Sequence, residues 1–316
     1  MLTAFRLQNR RLEQIQSGDS EELSDDAVWI DIVDPSDEDR AVIKQVYDVG
    51  LPDAEDMEEI EATARFFRDD DGSLHVHSFF LHDFEDTPAN VTVAFILKNG
   101  RLFTIHEEEL ATIRLFRLRA RSPSALLGDA MTILLSLFTT KVDRLADTLE
   151  SVYTSLESAS EQVLGQSEKD LHVLLGEVAE FEDVSGKARL SLLDTQRALT
   201  FIMRNMKLEP EQVEQIRDVL RDVESLLPHT AFLFDKVNFL MDAIQGFINI
   251  EQNRIIKIFS IAAVVFLPPT LVASIYGMNF HAMPELSWSF GYPLAIVLMI
   301  VSGISPYWFF KRRGWL

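Results

Sequence analysis

The feature that most constrains this chain is an apolar run close to its C-terminus. Between Lys257 and Glu285 the sequence holds no Asp, Glu, Lys or Arg, and the residues from Ile258 to Tyr276 are mostly apolar. A helix needs ~20 such residues to cross the hydrocarbon core of a bilayer. The run therefore predicts a membrane span, and its length argues against the alternative, a buried hairpin of a soluble protein.

A second apolar run turns this prediction into a pair of spans. Residues 290–310 lack charged side chains and precede a basic tail at 311–316. The connection at 281–289 holds no Lys or Arg, whereas Arg254 and Lys257 flank the first span. Because basic flanks stay in the cytoplasm, we expect 281–289 to be an external loop and both chain ends to be cytoplasmic. Aromatic residues that suit the headgroup level stand near the two boundaries: Trp288, Tyr292, Tyr307, Trp308 and Trp315.

The rest of the chain is strongly acidic. The formal net charge is −21, and because residues 255–316 are net positive, residues 1–254 carry −24. An acidic surface repels nucleic acid and concentrates cations, so we expect divalent cations as partners and no nucleic acid. The chain has no cysteine, which excludes disulfides and thiolate metal sites. Its first residues lack the apolar core of a signal peptide, so we expect a cytosolic body.

The sequence carries no motif for catalysis or for an organic cofactor. A Walker loop, a dinucleotide fingerprint and a nucleophile triad are all missing, so an enzyme is not expected. His75 and His77 share a predicted strand face near His82 and Asp83, but sheet packing explains them better than a transition-metal site does. Asp69–Gly72 resembles the start of a calcium loop without the glutamate at its twelfth position, and predicts a turn.

Residues 1–120 predict a mixed α/β domain. The run Ala27–Val33 is strand-like, and Ser36 can cap the helix that follows it. Asp71-Gly72 and Asn99-Gly100 each lie between two strand-like runs, and Asn-Gly is the strongest short-range signal of a hairpin. We expect a small sheet with helices packed on it.

Later in the chain the pattern becomes helical. Residues 121–208 carry apolar side chains at three- and four-residue spacing, which predicts two long antiparallel helices. A third helix is predicted within 209–280, because proline is tolerated in a first helical turn at Pro210 and no certain stop precedes Tyr276. Pro228 is a possible kink. A continuous helix would measure ~100 Å and join a cytosolic stalk to the first span.

One face of this third helix carries a polar stripe. At 100° per residue, a set of mostly polar or small side chains falls within about 40° of Ile256: Asp242, Gln245, Asn249, Ser260, Ala263, Leu267, Thr270 and Ser274. Asn253 and Phe259 lie at about 60°. Two spans cannot enclose a conduit, so the stripe favours several chains around a shared axis. A tight helix contact is an equal alternative, since Ser, Ala and Thr also suit close packing.

The residues after the first span can supply a ring of amide oxygens. Gly277 can adopt a positive φ and end the helix, which would let Asn279 turn toward the axis. Such a ring suits Mg²⁺, which loses water reluctantly and can be held through its first-shell waters. Glu285 is the one carboxylate in the predicted external loop, too few oxygens to replace that water.

The C-terminal quarter resembles the CorA family of magnesium and cobalt channels. The resemblance rests on Tyr276-Gly277-Met278-Asn279-Phe280, then Met283-Pro284-Glu285-Leu286, a second span and a short basic tail. The Gly-Met-Asn triplet becomes specific through its place at the outer end of the first of two spans, behind an acidic domain. The resemblance covers the whole chain and looks like that to enterobacterial-type members of the family.

This resemblance implies an α+β cytosolic domain with long stalk helices and a two-helix transmembrane hairpin, assembled as a funnel-shaped homopentamer in the bacterial inner membrane. The implied activity is gated, passive influx of Mg²⁺, with Co²⁺ and Ni²⁺ as further ions, closed by intracellular Mg²⁺. Gly277, Met278 and Asn279 match the selectivity motif. Asn253 and Thr270 match polar positions that face the pore, and with the stripe residues Asp242 and Asn249 they are the expected pore-lining residues. Ile256, Phe259 and Leu267 stand where the family has its apolar constriction.

Two other functions stay open. A zinc transporter of the same superfamily commonly has valine at the position of Met278. A membrane-anchored coiled-coil scaffold would need neither Asn279 nor the polar stripe.

The acidic body also predicts a regulatory role for Mg²⁺. Several bodies of charge −24 around one axis repel one another, and Mg²⁺ bound between them would favour a compact, closed assembly. Asp218 and Asp222, one helical turn apart, are the candidate ligands, with Asp242 further along the helix. The alternative is a solvated acidic face that only aids solubility.

Overall fold

The structure is a computed structural model, and it describes residues 1–15, 26–58, 61–82, 88–122, 127–165, 171–279, 281 and 283–314. It divides into two compact units, Met1–Met241 and Asp242–Leu316. Asp83, Phe280, Trp315 and Leu316 lie outside the described residues.

A mixed sheet forms the centre of the first unit. In the described residues its strands are β1 (Leu2–Gln8), β2 (Arg11–Gln14), β3 (Trp29–Val33), β4 (Phe66–Arg68), β5 (Leu74–His82), β6 (Ala89–Lys98) and β7 (Arg101–His106). Their spatial order is β2-β1-β3-β7-β6-β5-β4. The pair β3 and β7 is parallel, and the other neighbouring pairs are antiparallel.

The tight turns explain which strands pair locally. Asn99 and Gly100 have φ of 49° and 73° and join β6 to β7, which confirms the hairpin predicted from that dipeptide. Gly72, with φ of 86°, lies in the connection between β4 and β5, where the second hairpin was predicted. A third hairpin, β1–β2, turns at Asn9 and Arg10, both with positive φ. Sequence reasoning missed it because arginine is not expected in a left-handed conformation.

Helices cover both faces of the sheet. Their bounds in the first unit are α1 (Asp37–Tyr47), α2 (Ala54–Glu58), α3 (Ala62–Arg65), α4 (Ala111–Ala120), α5 (Ala130–Leu164) and α6 (Leu171–Asn205). The predicted cap at Ser36 is confirmed: its side chain accepts a hydrogen bond from Asp39 N, and the Asp39 side chain completes the capping box. The Asp129 side chain accepts from Thr132 N and caps α5 in the same manner.

Alternation along the strands divides the core into two layers. Ile43 and Tyr47 of α1 belong to a cluster on one face with Phe103 and other buried residues of β3, β6 and β7. On the opposite face, Phe95 of β6 packs against Phe138 of α5 with ring centres 5.6 Å apart. The predicted sheet with helices packed on it is therefore confirmed, with apolar side chains buried on both sides.

A charged cluster lies inside the second layer. Lys141 of α5 is buried, and its Nζ donates to Ser78 Oγ at 2.9 Å. Ser78 Oγ donates in turn to Asp194 Oδ2 at 2.6 Å, and Arg65 lies 3.1 Å from the other carboxylate oxygen. Phe79 N also donates to Asp194, so this carboxylate of α6 is anchored to β5. The cluster ties both long helices to the sheet.

Two further helices carry the apolar runs. Helix α7 spans Pro210–Tyr276 and continues through Pro228, and helix α8 spans Gly291–Arg312. Both contain a window long and apolar enough to cross a membrane. A short 3₁₀ helix, Pro284–Ser287, precedes α8. The helical extent predicted for the third long helix is confirmed.

Candidate functional site

The packing of α8 leaves the polar stripe of α7 uncovered. On α7 the partly buried residues of the span are Ile261, Ala262, Val264, Val265, Pro268, Pro269, Val272 and Tyr276. They centre on Val265 and lie on the side of α7 opposite Ile256, because nine residues at 100° each give a half turn. Every residue of the predicted stripe is exposed: Asp242, Gln245, Asn249, Asn253, Ser260, Ala263, Leu267, Thr270 and Ser274.

Within one chain, this arrangement distinguishes the two explanations of the stripe, which are a pore lining and a tight helix contact. The small residues of the stripe do not make the contact between α7 and α8, since that contact uses the other face. Ile256, Phe259 and Leu267 are 60%, 71% and 66% exposed, which is costly for apolar side chains unless lipid or other chains cover them. The stripe is thus free to face further copies of the chain.

The hydroxyl of Thr270 shows how a polar residue is accommodated in this helix. Thr270 Oγ1 donates to the carbonyl of Phe266 at 2.7 Å, so its hydrogen is satisfied inside the helix. The oxygen keeps lone pairs that can accept from a water on the exposed side. A hydroxyl held in this way can solvate a hydrated cation without binding it tightly.

The end of α7 differs from the prediction at Gly277. The helix ends at Tyr276 as expected, but Gly277 does not have a positive φ. Its N–H bonds to the Ala273 carbonyl at 2.9 Å and Met278 N bonds to Ile275, so right-handed winding continues past the last helical residue. A Cβ on Gly277 would stand 3.1 Å from Ala273 O, which gives a steric reason for glycine there. Asn279, two residues later, is exposed.

The connection to α8 is compact where the structure describes it. Glu285 lies in the 3₁₀ helix and is exposed. A Cβ on Gly291 would stand 2.2 Å from the Glu285 carbonyl, so glycine is required for this close approach. Trp288 and Phe290 pack edge to face with ring centres 6.1 Å apart. The single carboxylate is therefore carried on a constrained turn.

The candidate regulatory carboxylates do not form a metal site within one chain. Asp218 and Asp222 are both exposed, and Asp218 pairs with Arg221 at 3.2 Å. Among the described residues no group of three or more His, Cys, Asp or Glu could hold a metal ion. His75 stacks on Phe67 at 4.5 Å, in keeping with a packing role for the strand histidines.

Sequence reasoning missed one close contact between the two apolar helices. A Cβ added to Gly303 of α8 would stand 3.2 Å from Pro269 Cγ and 3.4 Å from the Val265 carbonyl oxygen. Proline at 269 removes the N–H that would bond to that carbonyl. The signal was a proline in one run and a glycine in the other, but spacing within each run cannot show that they meet.

Comparison of the sequence with known proteins gives one consistent result. The family model described as CorA-like Mg²⁺ transporter protein matches residues 24–312. The chain is 54% identical over 318 positions to the magnesium transport protein CorA of Escherichia coli strain K12, with 100% of both chains covered. It is 53% identical, again with 100% of both chains covered, to the magnesium transport protein CorA of Salmonella typhimurium strain LT2.

Solved structures show the same fold. The complete CorA magnesium transporter from Methanocaldococcus jannaschii matches with a TM-score of 0.76 at 22% identity, covering 100% of this chain and 99% of that one. Full-length CmaX matches with a TM-score of 0.69 at 17% identity, covering 98% and 96%. The cytoplasmic domain of ZntB from Vibrio parahaemolyticus matches with 0.57 at 12% identity, covering 78% and 97%. At these identities the likeness concerns the fold alone.

Proposed function

The chain belongs to the CorA family of Mg²⁺ transporters, and from that premise we propose that it is a gated, passive influx channel for Mg²⁺. Co²⁺ and Ni²⁺ are the further permeant ions of this proposal. A transport family supports a membrane protein rather than an enzyme, and the apolar windows of α7 and α8 support the membrane location.

The uncovered stripe on α7 is the observation that carries the proposal. Because α8 packs on the opposite face, several copies can place their α7 helices around one axis with the stripes inward. We propose that this assembly is a funnel-shaped homopentamer, as the family resemblance implies. Polar side chains from Asp242, Asn249, Asn253 and Thr270 would line the pore, and apolar rings of Ile256, Phe259 and Leu267 would form its constriction.

Selectivity would reside at the end of α7. Gly277, Met278 and Asn279 stand directly after the last helical residue, and Asn279 is exposed. A ring of its amide oxygens would accept hydrogen bonds from the first-shell waters of Mg²⁺, an ion that prefers six oxygens and dehydrates reluctantly. Glu285 would add a negative charge near this entrance and would attract cations.

The basic flanks support an orientation in the bacterial inner membrane with both chain ends in the cytoplasm. In this arrangement 1–120 and 121–208 are cytosolic, and 209–280 combines the stalk helix with the first span. Residues 281–289 are then the external loop, 290–310 the second span and 311–316 the cytosolic tail.

Intracellular Mg²⁺ would close the channel by binding between neighbouring copies. The described residues of one chain hold no group of three or more His, Cys, Asp or Glu that could bind a metal ion, and in this proposal two neighbouring chains supply the ligands. Asp222 is exposed and has the freer carboxylate, whereas Asp218 would have to leave Arg221. Mg²⁺ is thus both the transported and the regulatory ion, and no organic cofactor is proposed.

Radiotracer Mg²⁺ uptake in cells that lack their own Mg²⁺ transporters tests the function. Asn279→Ala should lower the initial uptake rate by about tenfold or more, since ~1.4 kcal/mol of lost stabilisation corresponds to tenfold in rate. Asn205→Ala is the matched control, because Asn205 is an exposed asparagine at the end of α6 and does not belong to α7. The amount of each variant in the membrane is measured in parallel.

The same assay separates the alternatives. Equal uptake by the parent and Asn279→Ala would contradict the proposed selectivity site. Uptake of ⁶⁵Zn²⁺ in preference to Mg²⁺ would indicate a zinc transporter, the distant alternative. An absence of uptake of any divalent cation, with the protein present in the membrane, would favour the scaffold.

A further inference from the structure

A groove separates α7 and α8 on one side of the second unit. Its volume is about 400 Å³, and it is lined on α7 by Phe266 and Pro269 and on α8 by Ile300, Gly303 and Ile304. The side chains of these residues are apolar except at Gly303, which has none, and Phe266, Ile300 and Ile304 are more than half exposed. Tyr307 lines one end of the groove and supplies a hydroxyl.

The groove has a floor of backbone and ring atoms because of Gly303. A side chain there would press on Pro269 Cγ and on the Val265 carbonyl, at 3.2 and 3.4 Å from its first carbon. Pro269 leaves this carbonyl without its helical N–H partner, and such a group is unfavourable in hydrocarbon. The backbone of Gly303 lies close to the Val265 carbonyl and shields this oxygen from hydrocarbon. The space that a side chain would occupy stays open beside this contact.

The groove leads toward a basic residue. Gly303, Tyr307 and Lys311 follow at intervals of four residues and share one face of α8. Lys311 Nζ lies 6.0 Å from the centre of the Tyr307 ring. The rise from Gly303 to Lys311 is ~12 Å at 1.5 Å per residue. An aromatic residue followed by a basic one at the end of a span is typical of the headgroup level.

We propose that this groove binds one acyl chain of an anionic phospholipid, whose phosphate pairs with Lys311. The apolar walls accept the acyl chain, and the cation at the mouth complements the negative headgroup. Tyr307 spans the two environments, since its ring is apolar and its hydroxyl can reach the ester or phosphate oxygens. The proposal rests on the membrane insertion of α7 and α8 that the proposed function requires, and not on the ion conducted.

Native mass spectrometry of the purified full-length assembly tests the site. The detergent-solubilised protein is exchanged into phosphatidylglycerol or phosphatidylcholine, and the lipids retained per chain are counted. The parent should retain phosphatidylglycerol about fivefold better than phosphatidylcholine, the preference expected from one lysine at the headgroup level. Ile304→Trp should fill the groove and lower retention of both lipids about fivefold or more, because ~0.8 kcal/mol is lost for each CH₂ of the acyl chain that is no longer buried.

Matched controls keep these changes specific. Val301→Trp introduces the same side chain at a residue of α8 that is 57% exposed and does not line the groove. Lys311→Gln should abolish the preference for phosphatidylglycerol. Arg313→Gln, about 200° further around α8, removes the same charge away from the groove and should keep the preference.

Three results would overturn the proposal. Equal retention by Ile304→Trp and Val301→Trp would show that lipid does not occupy the groove. Loss of the oligomer in Ile304→Trp alone, with lipid retention unchanged, would show that a second copy covers it. Equal retention of the two lipids by the parent would exclude the anionic headgroup site. Because the readout is bound lipid, a chain that fails to transport Mg²⁺ can still pass this test.

Discussion

Lys141 is a buried lysine of the first unit whose pKa departs strongly from its ordinary value. Burial lowers the pKa of Lys141 to about 7; the charge of Asp194 opposes this change and that of Arg65 adds to it. The ordinary value, 10.5, applies to the unfolded chain. Between these two values the unfolded chain binds more protons than the folded one, so this residue makes stability rise with pH from about 7 to about 10.

Replacing Lys141 by methionine should remove this pH dependence. Methionine fills a similar volume without a charge, and Asp194 keeps its bonds to Ser78, Phe79 N and Arg65. We expect Lys141→Met to be as stable as the parent or more stable by ~1–4 kcal/mol at pH 6.5, because removal of buried charge is often neutral or stabilising. The difference should shrink by pH 9.5. The measurement is the thermal unfolding midpoint of the full-length protein by circular dichroism.

The matched control for this prediction is Lys207→Met, which removes an exposed lysine. Its difference from the parent should not change between pH 6.5 and 9.5. If the difference in unfolding midpoint between Lys141→Met and the parent were also constant between pH 6.5 and 9.5, Lys141 would be charged in the folded chain throughout this range. The folded and unfolded chains would then bind the same number of protons at this residue, which would contradict the prediction.

At the scale of elements, α7 has two faces with different roles. One face packs against α8 through Val265 and its neighbours, and the other presents the stripe with Ile256, Phe259 and Leu267 exposed. In the proposed assembly these three residues form apolar rings. A narrow apolar ring can block ions by excluding water, without a charged plug.

A polar residue in the ring should therefore open the closed channel. We expect Leu267→Ser and Ile256→Ser each to conduct Mg²⁺ about tenfold better than the parent at high internal Mg²⁺, which corresponds to a barrier lower by ~1.4 kcal/mol. Current across a planar bilayer containing the purified protein measures this directly. Ile258→Ser is the control, because Ile258 is 57% exposed and lies about 200° from Ile256. If both variants conducted no better than the parent at high internal Mg²⁺, the gate would not lie at these two residues.

At the scale of the whole molecule, the charge of the acidic body is the main constraint. Residues 1–254 carry −24, and several such bodies around one axis repel each other unless cations lie between them. In the proposed assembly, binding of Mg²⁺ to the closed state would oppose the influx of this ion, and the strength of the coupling would equal the difference in binding free energy between the two states.

Removal of Mg²⁺ should make the acidic body more accessible to protease. The full-length protein is digested at a series of Mg²⁺ concentrations, and the half-protection concentration is read from the intact band. In the double variant Asp218→Asn/Asp222→Asn, the Mg²⁺ concentration that gives half-protection should rise about tenfold, which is within the usual range of allosteric couplings. Asp235→Asn, which removes one exposed carboxylate from the same helix, is the control. Digestion that does not depend on Mg²⁺ would contradict regulation by this ion, even in a working channel.

Sequence reasoning succeeded where a signal depends on near neighbours. The Asn99-Gly100 turn, the Ser36 cap and the extent of α7 each follow from residues a few positions apart. The Gly277 prediction was wrong because ending a helix does not require a positive φ. Right-handed winding continues there through the bond from Gly277 N to Ala273 O.

The two apolar helices, the polar stripe and the acidic charge follow from periodicity and composition, and the family follows from short motifs, because all of these are properties of neighbouring positions. The face of α7 that α8 covers and the contact of Gly303 with Pro269 depend on tertiary packing. The bond from Lys141 to Ser78, 63 positions apart, depends on it too. These contacts depend on the surface that each helix turns toward a distant partner, and spacing within one helix carries no information about that partner.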